Sequence, residues 1–325
     1  MRSSRSNLRA TTTRPSLRVP SLSTINYQLS TVNHRTPPSQ VEVIIASIQD
    51  KARMIKIFQK YRPQIFFHAA AHKHVPVLEE NPFEAVKNNV FGTLNCALLA
   101  DKFKLEKFIL ISTDKAVNPI SVMGATKRIC EIICQEMSYI SNTSYPSVRF
   151  GNVLGSNGSV IPLFKKQLEE GGPLIVTDPE VSRYFMTVNE AVQLILQVGA
   201  IGDKGDIFVL DMGEPIKIDD LAKKFIKLSG LTLGKDIKIT YSGLRPGEKL
   251  KEEFYMQDQG LHPTDYDKIY ISKTNDIDTE MFFEQLELLQ TIVESENYDS
   301  FYKVMNKIVP SFNPPPRSVI ARSLQ

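Results

Sequence analysis

An α/β fold with a doubly wound parallel sheet is what this chain of 325 residues predicts. Three observations carry that expectation. Short β-branched or aromatic runs alternate with amphipathic stretches of helical period along residues 41–150, the pattern of parallel strands covered by helices on both faces. Several runs end in small or polar residues, and open α/β sheets bind ligands at the carboxyl ends of their strands. Finally, 42% of the residues are apolar, enough to fill one large domain or two smaller ones.

Taken in order, residues 41–46 read as a buried strand and residues 51–61 as an amphipathic helix. A second strand at 65–71 runs into a loop of small residues. Asn81 and Pro82 open a long helix to about residue 102, and residues 107–112 form a third strand. Residues 123–139 are helical, with Ile129, Ile132, Ile133 and Met137 on one face, and residues 146–150 form a fourth strand. Beyond that the texture loosens, with helices near 160–170, 189–199 and 217–229, a strand at 206–210, and a charged turn at 244–249. Two closing helices fall within 279–307. The chain thus divides into a core at 41–155, a second region at 156–315 and a tail at 316–325.

The first forty residues differ. They contain no Asp, Glu or Lys, yet carry Arg2, Arg5, Arg9, Arg14, Arg18 and Arg35 among many Ser and Thr. Such a leader reads as disordered, as the aberrant product of a frameshift or misplaced start, or as an organelle transit peptide. A net charge of +3 gives no argument for nucleic acid. No apolar run approaches the roughly 18–20 residues that span a membrane. Cys96, Cys130 and Cys134 lack metal-ligand spacing. They read as buried thiols of a cytoplasmic protein.

The chemistry concentrates between residues 68 and 160. Met123 and Lys127 are four apart and share a helix face. Thr113, Asp114 and Lys115 follow a strand, so a hydroxyl, a carboxyl and two ammonium groups gather near one strand-to-helix junction. Nicotinamide-dependent sugar enzymes commonly carry a Tyr-x-x-x-Lys pair at such a junction. Methionine cannot take a proton, so Thr113, Asp114 and Lys115 become the acid–base candidates. Lys73 sits between His72 and His74 at another strand end and suits an anion or cofactor. Gly151, Gly155 and Gly158 follow the fourth strand with the wrong spacing for a dinucleotide fingerprint, and read as a loop for close backbone approach to a ligand. Arg183 and Arg245 are candidate diphosphate clamps, because guanidinium forks match phosphate oxygens.

These stretches also carry a resemblance. His68-Ala-Ala-Ala-His-Lys-His-Val-Pro76, Ser112-Thr-Asp-Lys-Ala-Val-Asn-Pro119, Met123-Gly-Ala-Thr-Lys-Arg128 and Arg245-Pro-Gly-Glu-Lys249 look like the CapD-type polysaccharide-biosynthesis family. So do Asn81-Pro-Phe-Glu-Ala-Val-Lys-Asn-Asn89, Arg149-Phe-Gly-Asn-Val-Leu-Gly-Ser156 and Arg183-Tyr-Phe-Met186. The resemblance covers residues 41 to about 315. It implies a Rossmann-like extended short-chain dehydrogenase fold and a nucleotide-sugar 4,6-dehydratase, a lyase acting typically on UDP-N-acetylglucosamine for a bacterial surface polysaccharide. By resemblance, NADP or NAD takes hydride from C4 and returns it to C6, and is recycled. Thr113 with Lys127 would assist loss of the C4 hydroxyl proton. Lys115 would take the C5 proton and Asp114 would protonate the departing C6 hydroxyl, while Met123 packs in the tyrosine's place. These roles need Lys115 at least partly neutral and Asp114 protonated at the right moment, and desolvation in a closed site favours both.

The same resemblance implies cofactor contacts at Ser47, Ile48, Ala69, Ala70, Ala71, Lys73, Asn88, Lys127 and Phe150. It implies UDP-sugar contacts at Lys73, Asn152, Ser159, Arg183, Arg245 and Glu248. A homo-oligomer is expected and no metal is. One departure stands out. The family opens with a strand and a glycine-rich turn that receives the cofactor pyrophosphate, whereas no glycine precedes Gly92 here. Residues 26–33 read as a remnant of the family's next element. Cofactor binding is therefore expected to be weak unless another chain supplies the turn. An impaired family member that only binds UDP-sugar or oligomerises is the alternative. A UDP-sugar 4-epimerase comes third, because epimerisation does not need the elimination pair Asp114 and Lys115.

Overall fold

The computed structural model describes residues 41–156, 158–256, 260–273, 278–314 and 316. The leader at 1–40, with the remnant at 26–33, lies outside the described residues, as does all of the tail except residue 316. Two compact units divide the chain, Met1–Ile45 and Ala46–Gln325. Of the first, only residues 41–45 are described, and the expected strand at 41–46 is absent. Val41, Val43 and Ile45 are exposed, and no described strand pairs with this run. An alternating sequence becomes a strand only where a neighbour supplies ladder hydrogen bonds and a face to bury.

The second unit is built on strands β1 (Ile65–His68), β2 (Lys107–Ile111), β3 (Ser147–Arg149), β4 (Asn152–Val153), β5 (Leu174–Val176), β6 (Ser182–Arg183), β7 (Phe185–Met186), β8 (Ile207–Leu210), β9 (Ile216–Lys217), β10 (Ile239–Tyr241), β11 (Leu261–Pro263) and β12 (Ile269–Ser272). Its main sheet has the order β1-β2-β3-β8-β12-β11. The first four strands are parallel, as the sequence pattern implies. Strand β12 runs antiparallel to β8 and β11 antiparallel to β12, so the parallel sheet carries a mixed edge. Only residues 264–268 separate β11 from β12, too few for a parallel crossover but ample for a hairpin.

The helices are α1 (Lys51–Tyr61), α2 (Val75–Glu80), α3 (Pro82–Ala85), α4 (Gly92–Lys102), α5 (Val122–Ile140), α6 (Val160–Glu169), α7 (Val188–Ile201), α8 (Ile218–Leu228), α9 (Thr279–Glu294) and α10 (Tyr298–Ile308). Strand β2 shows how both sheet faces are covered. Phe108 and Leu110 point into a core shared with α1, α4, α5, α9 and α10, while Ile109 and Ile111 point into a second core with α7. A third cluster, with Phe164, Leu174, Val176, Ala222 and Ile226, holds α6 and α8 against the small β5–β10 sheet. All three cysteines are buried.

The long helix expected at 81–102 is interrupted. Residues Val86–Phe91 form a π-helical stretch between α3 and α4. Such insertions mark functional positions more often than chance, and here the stretch contains the buried Asn88 and Asn89. Asn89 Oδ1 accepts from His72 N at 2.7 Å, and its Nδ2 donates to His72 O at 3.0 Å and to Thr126 Oγ1 at 3.1 Å. The loop after β1 is thereby tied to α5.

Candidate active site

The site begins at the carboxyl end of β2. Ser112 N donates to Val148 O at 2.7 Å and Asp114 N to Phe150 O at 3.1 Å, so the turn after β2 is stitched to β3. Thr113 caps the short 3-10 turn Asp114–Ala116 and donates its hydroxyl proton to Asp114 Oδ1 at 2.8 Å. Beneath it lies a buried ionic cluster. Arg149 donates through Nε and Nη2 to both oxygens of Glu131, each at 2.7 Å, and Arg128 Nη1 adds a bond of 3.0 Å. Ser112 Oγ donates to the same carboxylate at 2.6 Å. Burial alone would raise the pKa of Glu131, but the two arginines and Ser112 outweigh it and hold it down at about 2.

Helix α5 abuts this turn. Ser121 Oγ accepts from Gly124 N at 3.1 Å, and Glu79 Oε1 from α2 accepts from Val122 N at 2.6 Å. A side chain at Gly124 would strike the carbonyl of Lys115, so glycine lets the helix reach the turn. Met123 and Lys127 then face a cavity of about 520 Å³. Lys127 is buried, and its Nζ has no hydrogen-bond partner among the described residues. Burial and the charge of Lys127 push the pKa of nearby His68 down to about 3, so that imidazole is neutral.

The cavity gathers most of the expected site. Thr113, Lys115, Met123, Lys127, Ala69, Ala71, Lys73, Phe150, Asn152, Ser159, Arg183, Arg245 and Glu248 all line it. Asp114 lies fully buried just behind, its Oδ2 unpartnered and facing Gly151. Ala70 does not line the cavity, nor do Ser47, Ile48 and Asn88. Ser47 is exposed, Ile48 is packed on Gly92, and Asn88 bonds to Gln49 and Asn89. On the far wall, Arg183 Nη2 meets Glu248 Oε1 at 3.1 Å, and Glu248 also accepts from Thr177 Oγ1 and Arg245 N. Ser159 Oγ is buried and unpartnered.

Lys115 differs from expectation. Its Nζ lies 3.0 Å from Asp114 Oδ1, 3.3 Å from Glu252 Oε1 and 3.4 Å from Asn152 Oδ1. Burial opposes its charge, but Asp114 and Glu252 outweigh burial, and its pKa is raised above the ordinary lysine value. Desolvation therefore does not leave Lys115 neutral in this state. Sequence reasoning passed over Glu252, Glu79, Glu131 and Asn89. Glu252 and Glu79 belong to acidic pairs that look like solvated surface, and nothing in their spacing announces burial.

A nicotinamide dinucleotide fits this site at one end. Ala69, Ala71, Met123, Phe150 and the unpartnered Lys127 form a half-apolar wall suited to a nicotinamide ribose. The turns after β1 and β2 contain no glycine, so no pyrophosphate cradle of the usual kind stands there.

A sequence profile described as "Polysaccharide biosynthesis protein" matches residues 18–274. The chain belongs to that polysaccharide biosynthesis protein family. It is 49% identical over 267 residues to the capsular polysaccharide biosynthesis protein CapD of Staphylococcus aureus, covering 81% of this chain and 44% of CapD. The chain thus spans about half the length of the curated relatives it matches. The fold resembles the crystal structure of Pen from Bacillus thuringiensis, with 33% identity, a TM-score of 0.65, and coverage of 75% and 81% of the two chains. It also resembles DesIV of Streptomyces venezuelae, a dTDP-glucose 4,6-dehydratase with NAD bound, at 19% identity and a TM-score of 0.59, covering 64% and 69%. That second likeness concerns the fold alone. Among the described residues no helix is long and apolar enough to cross a membrane.

Proposed function

We propose that this family member carries the active site of a nucleotide-sugar 4,6-dehydratase acting on a UDP-linked N-acetylhexosamine. The observation that carries the reading is the Asp114–Lys115 pair at 3.0 Å beside a methionine where the catalytic tyrosine would stand. An elimination needs one base and one acid side by side, whereas an epimerisation needs neither of these two. A nicotinamide cofactor, NAD or NADP, when bound beside Lys127 would supply hydride removal at C4 and its return at C6.

The remaining chemistry belongs to the chain. Arg183 and Arg245 offer guanidinium forks to the diphosphate, with Asn152 and Ser159 completing the polar wall. Lys115 starts as an ammonium. Movement of one proton from Nζ to the carboxylate of Asp114 leaves an amine and a carboxylic acid, and filling the cavity favours that uncharged pair. The C4 hydroxyl proton leaves towards Thr113 and Lys127. Lys115 then accepts the C5 proton, and Asp114 returns its proton to the departing C6 hydroxyl as water. A proton goes back to C5 as hydride reaches C6. Incubation with UDP-N-acetylglucosamine and NADP⁺ or NAD⁺, followed by NMR, should reveal a 4-keto-6-deoxy sugar. A C4-epimerised sugar in its place would sink the proposal.

A second reading rests on the glycine-free turns after β1 and β2. With no glycine cradle for pyrophosphate among the described residues, the chain would hold the UDP-sugar without turning it over. Saturable UDP-sugar binding by calorimetry, with no product, would favour that reading.

A further inference from the structure

Glu252 has no role in the scheme above, yet it is among the most enclosed carboxyls lining the cavity. Its side chain is 2% exposed. Oε1 lies 3.3 Å from Lys115 Nζ and 4.0 Å from Arg183 Nε, and Oε2 is buried with no hydrogen-bond partner. Lys249 Nζ stands 4.0 Å from Oε2 but spends its hydrogen bond on Val117 O at 2.7 Å. A surface carboxylate would be solvated. This one is directed at the single lysine that the chemistry must discharge and recharge.

The groups around Lys115 Nζ come from four segments. Asp114 lies on the same turn, Asn152 on β4, and Glu252 on the stretch after the 244–249 turn. The cations Arg183 on β6 and Lys249 lie beyond. Two carboxylates thus flank one ammonium. If Asp114 takes up the proton that Lys115 gives away, Glu252 is left as the anion nearest the free amine.

We propose that Glu252 is a positioning residue: the counter-ion that keeps Lys115 directed into the cavity and basic while Asp114 is protonated. The inference rests on the dehydratase reading. In the proton-abstraction step a C–H bond at C5 breaks and an N–H bond forms at Nζ, so positive charge develops at Lys115. Glu252, 3.3 Å away, is already in place to balance that charge. The carboxylate itself gains and loses nothing.

The test compares the wild-type protein with Glu252→Gln, which keeps the shape and removes the charge. Lysine-labelled protein would be titrated by NMR, with the Lys115 signal assigned by its loss in Lys115→Met. An opposite charge within ~4–6 Å shifts a titration by about 1–3 pH units, so the Lys115 midpoint should fall by about that much in Glu252→Gln. Glu252→Asp, with the carboxylate withdrawn by one methylene, should show a smaller fall and serves if the first variant does not fold. In turnover, kcat should drop at least about tenfold, because the charge developing at Lys115 loses its nearest fixed anion. An unchanged Lys115 midpoint would overturn the inference, and so would a kcat equal to wild type. Absence of 4-keto product from the wild-type protein would instead strike the dehydratase reading, and the titration would still decide whether Glu252 controls Lys115.

Discussion

Replacing Glu79 by Gln probes how the helix carrying Met123 and Lys127 is held. Glu79 is 4% exposed; its Oε1 caps α5 through Val122 N, and its Oε2 is buried without a partner. Burial pushes its pKa up from 4.5 to about 7, against the opposing pull of the Val122 hydrogen bond. The folded protein therefore binds this proton more tightly than the unfolded chain. Stability from the protonated group is fully present below about pH 4.5 and is lost as the pH rises through 7. A shift of this size is worth about 3 kcal/mol at roughly 1.4 kcal/mol per unit. Glu79→Gln keeps an acceptor for Val122 N and never ionises. Urea denaturation at pH 5 and pH 8 should show the variant gaining on the wild type by about 2–3 kcal/mol between the two. Comparing two pH values cancels any fixed cost of the new amide. A stability difference that does not move with pH would refute the argument.

Two more perturbations test the frame. Glu131→Gln leaves Arg149 and Arg128 without their buried anion and should cost about 3–5 kcal/mol by chemical denaturation. In the wild type, the stability that Glu131 contributes is present above pH 4.5 and fades as the pH falls towards 2. At Gly247, φ is +74° and an added Cβ would come within 2.8 Å of Ser121 Cβ. Gly247→Ala should therefore destabilise by more than about 1 kcal/mol. UDP affinity, read by calorimetry, should fall with it, because the same turn carries Arg245 and Glu248.

Much of this molecule could be read from its sequence because the reading relied on local signals. The apolar runs of β2, β3 and β8 are buried as their composition implies, whereas α5 is buried on every side over residues 122–137 and β1 leaves Ile65 and Phe67 exposed. The cavity residues were legible where a motif keeps them together, as at Thr113–Lys115 or Arg245–Glu248. What escaped was decided by distant neighbours. Residues 41–46 have strand composition but no described partner, and α2 is a six-residue helix with Pro76 at its start. The charge state of Lys115 depends on Glu252, which lies 137 positions along the chain. Desolvation alone pointed the wrong way because Asp114, in Lys115's own motif, and the distant Glu252 together outweigh it.

The side chain of Asn89 is saturated. Its oxygen accepts from His72 N and Asn88 Nδ2, and its nitrogen donates to His72 O and Thr126 Oγ1. With both acceptor and both donor capacities engaged, no sideways slide of the loop after β1 can trade one bond for another. The span between β1 and α2 is therefore fixed in length, and an inserted or deleted residue there would unpair the amide.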